Sequence, residues 1–139
     1  MVHERERAPI ETTDQLERVI SKAVSATRMK SLTRVFQALR IAVNHELEEL
    51  SAGLAAAWSL MNPSAHMVVI SYHSLEDRLV KNFMKEKAVP VTDRREPIPT
   101  GVKATGRLLL RKPLTPDVEE VQKNPRSRSA KLRAIEKIQ

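Results

Sequence analysis

The residues best equipped to hold a ligand are crowded onto one bend. Ser71, Tyr72, His73 and Ser74 follow the apolar run "HMVVIS" and lead into the helix-patterned "SLEDRLVKNF". In open α/β sheets, ligands lie at the carboxyl ends of strands and against helix N-termini, and this stretch has that strand-bend-helix layout. A plainer reading is that a strand ends here and its end is polar. Ser74 is placed to cap the helix, with Asp77 reaching back from three residues on in a capping-box arrangement. His73, Ser74 and Asp77 do not make a hydrolase triad by being close in sequence, because no nucleophile-elbow glycines flank the serine.

Two further groups have chemical potential. Gln37, Arg40 and Asn44 recur at i, i+3 and i+7 and form a polar stripe beside an apolar helical seam, a position where polar groups usually meet a partner. Arg40 has alternative partners in Glu76 and Asp77, while Glu46, Glu48 and Glu49 read as a solvated helix face. Near the end of the chain, Lys123, Arg126, Arg128, Lys131, Arg133 and Lys137 face only Glu136, so residues 123–137 carry +5 of the total +7. Such a cluster suits phosphate binding with counterion release, or a basic tail that aids solubility.

Other chemistries are excluded. The chain has no cysteine, which removes disulfides, thiolate metal sites and a cysteine nucleophile. His3, His45, His66 and His73 show no i,i+4 pairing, so no zinc helix is expected and no metal site is assigned. The three glycines, Gly53, Gly101 and Gly106, form neither a GxGxxG nor a GxxxxGK[ST] loop. No apolar run approaches the ~18 residues of a membrane span, and "MVHERERAPIETTDQ" has neither a secretory h-region nor the acid-poor character of a transit peptide. The expectation is a soluble protein without a membrane partner.

The elements that would position these groups can be read from periodicity. Thr12-Thr13-Asp14 caps a helix to about Thr27, with Leu16, Val19, Ile20 and Val24 as its apolar face. A longer helix is expected from about Ser31 to Met61, carried by Leu32, Phe36, Leu39, Val43, Leu47, Leu50, Leu54 and Trp58. Asn62-Pro63-Ser64 ends it, and "HMVVIS" fits a strand buried on both faces of a parallel sheet. After the helix beginning near Ser74, residues 88–106 are rich in proline and glycine and read as a mobile exposed loop. "RLLLRK" is a strand candidate, and Thr115-Pro116 is expected to open a short helix to about Lys123. Residues 126–139 fit either a final strand or a frayed helix.

Four blocks then carry a resemblance: "APIETTDQLERVI", "RVFQALRIAVNHELEEL", "VVISYHSLEDRLVKNF" and "RKPLTPDVEEVQKNPRSRSAKLR". In order and spacing they resemble the bacterial and organellar family of S-adenosylmethionine-dependent methyltransferases acting on the N4 amine of a cytidine in small-subunit ribosomal RNA (RsmH/MraW).

That resemblance implies an α/β fold: a partial Rossmann-like methyltransferase domain, its C-terminal half, with the remnant of a helical insert domain. Residues 1–30 would be the tail of the insert and 31–139 the C-terminal part of the catalytic domain, with a basic tail at 123–139. The cofactor-binding N-terminal half has no counterpart, so the S-adenosylmethionine site would be incomplete and the chain inactive alone. Ser64-Ala65 stands where the family usually has a Gly-Gly turn. By the same resemblance, His73, Tyr72 and Asn44 would serve catalysis, Ser71 and Ser74 the cofactor, and Arg40, Arg126, Arg128, Lys131 and Arg133 the RNA. His73 would accept or relay a proton and Tyr72 stack on the base or donate a hydrogen bond; the plainer alternatives are that His73 ties the bend to a backbone carbonyl and that Tyr72 is core. The partner would be small-subunit ribosomal RNA, in a bacterial cytoplasm or in a mitochondrion or plastid. Two other functions fit the same residues: a non-catalytic RNA-binding or ribosome-assembly module, and one half of a split enzyme.

Overall fold

The computed structural model describes residues 2–24, 28–88 and 104–138, and it divides into two compact units, Met1–Glu46 and Leu47–Gln139. The division falls later in the chain than the 30/31 boundary expected from the resemblance. Of the expected loop at 88–106, residues 89–103 lie outside the described residues. Among the described residues no helix is long and apolar enough to cross a membrane.

The first unit contains α1 (Val2–Arg7), α2 (Thr13–Ala23) and α3 (Arg28–Asn44). Thr12 caps α2 as expected, with Gln15 completing a capping box: the Gln15 N–H donates to Thr12 Oγ1 at 3.2 Å and Gln15 Oε1 accepts from the Thr12 N–H at 3.1 Å. Leu16 and Ile20 of α2 meet Leu32 of α3 in a small core, with Ile10, Val24, Val35 and Phe36 around it.

The expected single helix from Ser31 to Met61 is instead two. His45 takes a left-handed backbone conformation (φ 52°) between α3 and α4 (Glu46–Leu60). An α-helix cannot pass through a left-handed residue, so the apolar seam is cut in the middle. Its two ends are buried, at Leu32 and at Leu54 and Trp58, whereas Val43 next to the break is 74% exposed.

In the second unit α4 continues to Leu60 and β1 (His66–Ser71) follows, then α5 (Ser74–Ala88), β2 (Gly106–Leu108), α6 (Val118–Lys123), a short 3-10 helix (Pro125–Ser129) and β3 (Lys131–Lys137). The strand order is β1-β3-β2 and both pairings are antiparallel, with Val68 opposite Ala134 and Ile70 opposite Leu132. The expected parallel sheet is therefore corrected, and the described residues of the stretch left open between strand and helix, 126–138, form a 3-10 turn and the central strand. Burial in β1 alternates instead of covering both faces: Met67 and Ser71 are buried, while Val68 and Ile70 remain more than half exposed. That alternation is the signature of a sheet covered on one face. Of "RLLLRK", Arg107 and Leu108 pair with Glu136 and Ile135 in β2, and the Leu109 N–H still reaches the Ala134 carbonyl before the chain leaves the sheet.

Helices α4 and α5 cover one face of the sheet. Leu54, Trp58, Met67, Val80, Met84 and Ile135 form the core, and Trp58 meets the Phe83 ring edge-to-face at 6.2 Å. Gly106 is needed for this packing, because a Cβ there would stand 2.8 Å from both Ile135 Cδ1 and Trp58 Cη2. Lys137 closes the end of α4 by donating to the carbonyls of Trp58 and Met61, satisfying acceptors that the helix leaves open. Ser64 has a left-handed backbone (φ 67°), which glycine adopts without strain, and its N–H donates to the Lys137 carbonyl at 2.7 Å.

Candidate functional site

The bend after β1 is built by a helix cap one residue earlier than expected. His73, not Ser74, is the capping residue: its carbonyl accepts the first helical hydrogen bond from the Asp77 N–H, and its Nδ1 accepts from the Glu76 N–H at 3.3 Å. Glu76 reaches back, its Oε2 accepting from the N–H groups of Tyr72 at 2.9 Å and His73 at 3.1 Å. The result is a capping box made by His73 and Glu76, with a carboxylate at the positive end of the helix dipole. In the neutral ring, accepting at Nδ1 leaves the proton on Nε2. That nitrogen is buried and lies 3.2 Å from Glu76 Oε1 without the direction a hydrogen bond requires.

Asp77 is thereby released from capping and turned inward. It is buried and receives Arg133 Nε at 2.7 Å and Nη2 at 3.2 Å, with Lys131 Nζ at 3.3 Å. The Arg133 guanidinium holds the Asp77 carboxyl below its ordinary value, outweighing the opposite effect of burial. Of the five cations expected at the RNA, Lys131 and Arg133 thus have an internal partner, since they join β3 to α5. Arg126 and Arg128 sit on the 3-10 helix and are exposed.

Tyr72 is the residue the fold leaves open. It is 56% exposed, so it is not core, and it lines a groove of about 320 Å³ with Ile70, Leu114, Pro116 and Leu132. Asn124 and Ser127 line the same groove, and Ser127 donates to the Asn124 carbonyl at 2.8 Å. The groove follows from two local events. Asp117 caps α6 by accepting from the Glu120 N–H at 2.8 Å, two residues after the expected start at Thr115, and Leu114 bridges to Leu132 on β3. Thr115 and Pro116 are left as groove wall.

The remaining expected site residues fall elsewhere. Ser71 is buried, with its hydroxyl 3.5 Å from the Lys131 carbonyl, and Ser74 is the exposed first residue of α5. In the first unit, Arg40 and Asn44 converge on Glu46: Arg40 Nε and Nη2 donate to its two carboxylate oxygens at 2.7 and 3.0 Å, and Asn44 Nδ2 donates at 3.2 Å. Glu46 is therefore not simply a solvated glutamate but the acceptor for both. Sequence reading missed Glu76 and the walls Leu114 and Leu132. The spacing of His73 and Glu76 could have revealed the first, but nothing local signals the walls.

Residues 1–138 match the family described as the MraW methylase family. The chain belongs to the MraW methylase family. Relatives bear this out. The chain is 50% identical to a protein of Thermomicrobium roseum named ribosomal RNA small subunit methyltransferase H, over 99% of this chain and 44% of that protein. Proteins of the same name from Pelobacter propionicus and Azorhizobium caulinodans are 48% and 46% identical over 99% of this chain, covering 46% and 40% of their own lengths. The chain thus spans less than half the length of the curated relatives it matches. Among its described residues no group of three or more His, Cys, Asp or Glu is placed to hold a metal ion.

Proposed function

We propose that this chain is the C-terminal part of an enzyme that transfers a methyl group to the N4 amine of a cytidine in small-subunit ribosomal RNA, in the cytoplasm of a bacterium. In this reading residues 1–30 are the tail of a helical insert and 31–139 belong to a Rossmann-like catalytic domain. The observation that carries it is Tyr72, an exposed aromatic ring at the carboxyl end of β1 beside an apolar groove large enough for a base. An amine conjugated with a cytosine ring must be oriented before it attacks a methyl group, and an unstacked base needs a surface to rest on. Arg126 and Arg128 supply exposed cations for the phosphates, and Arg40 adds a further guanidinium on the first unit.

S-adenosylmethionine, the donor this reading implies, brings an activated sulfonium methyl. The described residues do not form a cradle for it. The Ser71 hydroxyl is occupied within the sheet, Ser74 is solvent-exposed, Gly53 lies inside α4 and Gly106 is packed against Trp58. The work assigned to this chain is accordingly on the RNA side. His73 and Glu76 hold the bend, and Tyr72 supports the base.

A second reading, in which a separately encoded half completes the enzyme, is favoured by the uncovered face of the sheet. β1 is an edge strand, and Val68 and Ile70 are 56% and 53% exposed. An apolar edge of this kind usually has a partner. Deleting the gene and digesting small-subunit ribosomal RNA to nucleosides tests the function: loss of the N4-methylcytidine mass is expected, and its persistence would overturn the proposal. Calorimetric titration of the 139-residue chain with S-adenosylmethionine should show no binding; saturable binding would mean that a cradle forms after all.

A further inference from the structure

A second groove, of about 270 Å³, lies on the second unit between α5 and the segment that follows β2. Its lining contains four cations, Lys81, Lys85, Arg111 and Arg133, and no carboxylate; Met84, Leu108 and Leu110 supply the apolar part. The charge of Arg133 is already matched by Asp77. Lys81, Lys85 and Arg111 are exposed and have no hydrogen-bond or ion-pair partner among the described residues. Lys81 and Lys85 stand one helical turn apart on α5, so they repel each other, and among the described residues neither has an ion-pair partner. An arrangement that concentrates unpaired charge at an apolar hollow is complementary to an anion that carries a flat apolar part.

We infer that this groove is a second RNA-contact surface, in which Lys81, Lys85 and Arg111 bind consecutive phosphates of a single strand and a base rests against Leu108 and Leu110. The inference rests on the proposal that RNA is the substrate, and it adds a surface apart from Tyr72, Arg126 and Arg128. A nucleic-acid strand fits better than an acidic peptide. Phosphates spaced along a backbone match cations spaced along a helix and the segment that follows β2, and the apolar part suits an unstacked base.

The test is fluorescence anisotropy of a labelled single-stranded RNA dodecamer against the 139-residue chain across a salt series. Three variants are compared with wild type: K81A/K85A/R111A, L108A/L110A and R126A/R128A. The first removes side chains without internal partners, so the fold should be retained, which circular dichroism verifies. The expected result is a fall of about 2 in the slope of log Kobs against log salt, at ~0.7 per phosphate for single strands. L108A/L110A should weaken binding while leaving that slope unchanged. A wild-type slope in K81A/K85A/R111A, with a reduced slope in R126A/R128A, would overturn the groove while leaving RNA as the substrate. Absence of RNA binding by the wild-type chain would overturn both. Binding of poly-glutamate that K81A/K85A/R111A abolishes, alongside an unchanged RNA slope, would overturn it in favour of an acidic protein.

Discussion

Asp77 of α5 grips Arg133 of β3 with both carboxylate oxygens, at 2.7 and 3.2 Å, across 56 residues of sequence. Both side chains are about seven-eighths buried, so each charge depends on the other for the solvation it has lost. The pair fastens the helix that begins at the bend to the central strand of the sheet. It therefore fixes the platform on which Tyr72 and His73 stand.

Replacing Asp77 with alanine should cost ~3 kcal/mol, the low end for leaving a buried ion unpartnered. The pH dependence has a definite sign. Because the folded carboxyl titrates below its unfolded value of 3.8, its contribution is fully present above that value and is lost as pH falls through the folded one. Urea titrations from pH 7 to pH 2 should show the gap between wild type and D77A constant near neutrality and closing in acid. A gap independent of pH would refute the assignment.

At Gly106 the core has no room for a methyl group. Gly106→Ala should destabilise by about 1–3 kcal/mol, the range for overpacking a close-packed interior. The double variant G106A/I135V should recover part of the loss, because it removes the Ile135 Cδ1 atom that the new Cβ would meet. Equal stability of the single and double variants would place the strain at Trp58 instead.

The two halves of the cap at the bend can be separated. His73→Ala should lower stability by ~1 kcal/mol, and His73→Asn, which can still accept from the Glu76 N–H, should restore most of it. Glu76→Ala should cost more, because the N–H groups of Tyr72 and His73 both lose their acceptor. Thermal melts of the three variants decide the matter; no change in H73A would show that the imidazole does not support the bend.

Tyr72 gives the opposite pattern. With more than half its surface in solvent, Tyr72→Ala should change stability by no more than ~0.5 kcal/mol. Its effect should fall on RNA, with affinity reduced by about 1–3 kcal/mol, the worth of one base-aromatic stack. Tyr72→Phe should bind like wild type if the ring acts by stacking. A Phe variant as weak as Ala would transfer the role to the hydroxyl.

The sequence by itself determined what depends on neighbours a few residues apart. The Thr12 cap of α2, the end of α4 before Asn62-Pro63, the strand at 66–71 and the polar bend after it were all legible, because caps and strand periods are read over three or four positions. The resemblance carried by "VVISYHSLEDRLVKNF" and the other three blocks was legible too, and the family match over residues 1–138 agrees with it. Where two local solutions competed, the reading slipped by a residue or two: Ser74 or His73 as cap, Thr115 or Asp117 opening α6. Either residue of each pair can cap, and the tertiary position of the helix chooses.

Only the tertiary structure decided which cations are spoken for. Arg126, Arg128, Lys131 and Arg133 look equivalent in a basic stretch, yet pairing of β3 against β1 carries Lys131 and Arg133 to Asp77 and leaves the other two in solvent. The same register brings Leu132 beside Ile70 and so makes the groove at Tyr72. Strand register is set by which apolar residues can share one core, here Met67, Ile135 and Trp58, and that condition joins segments too far apart for any local pattern to encode.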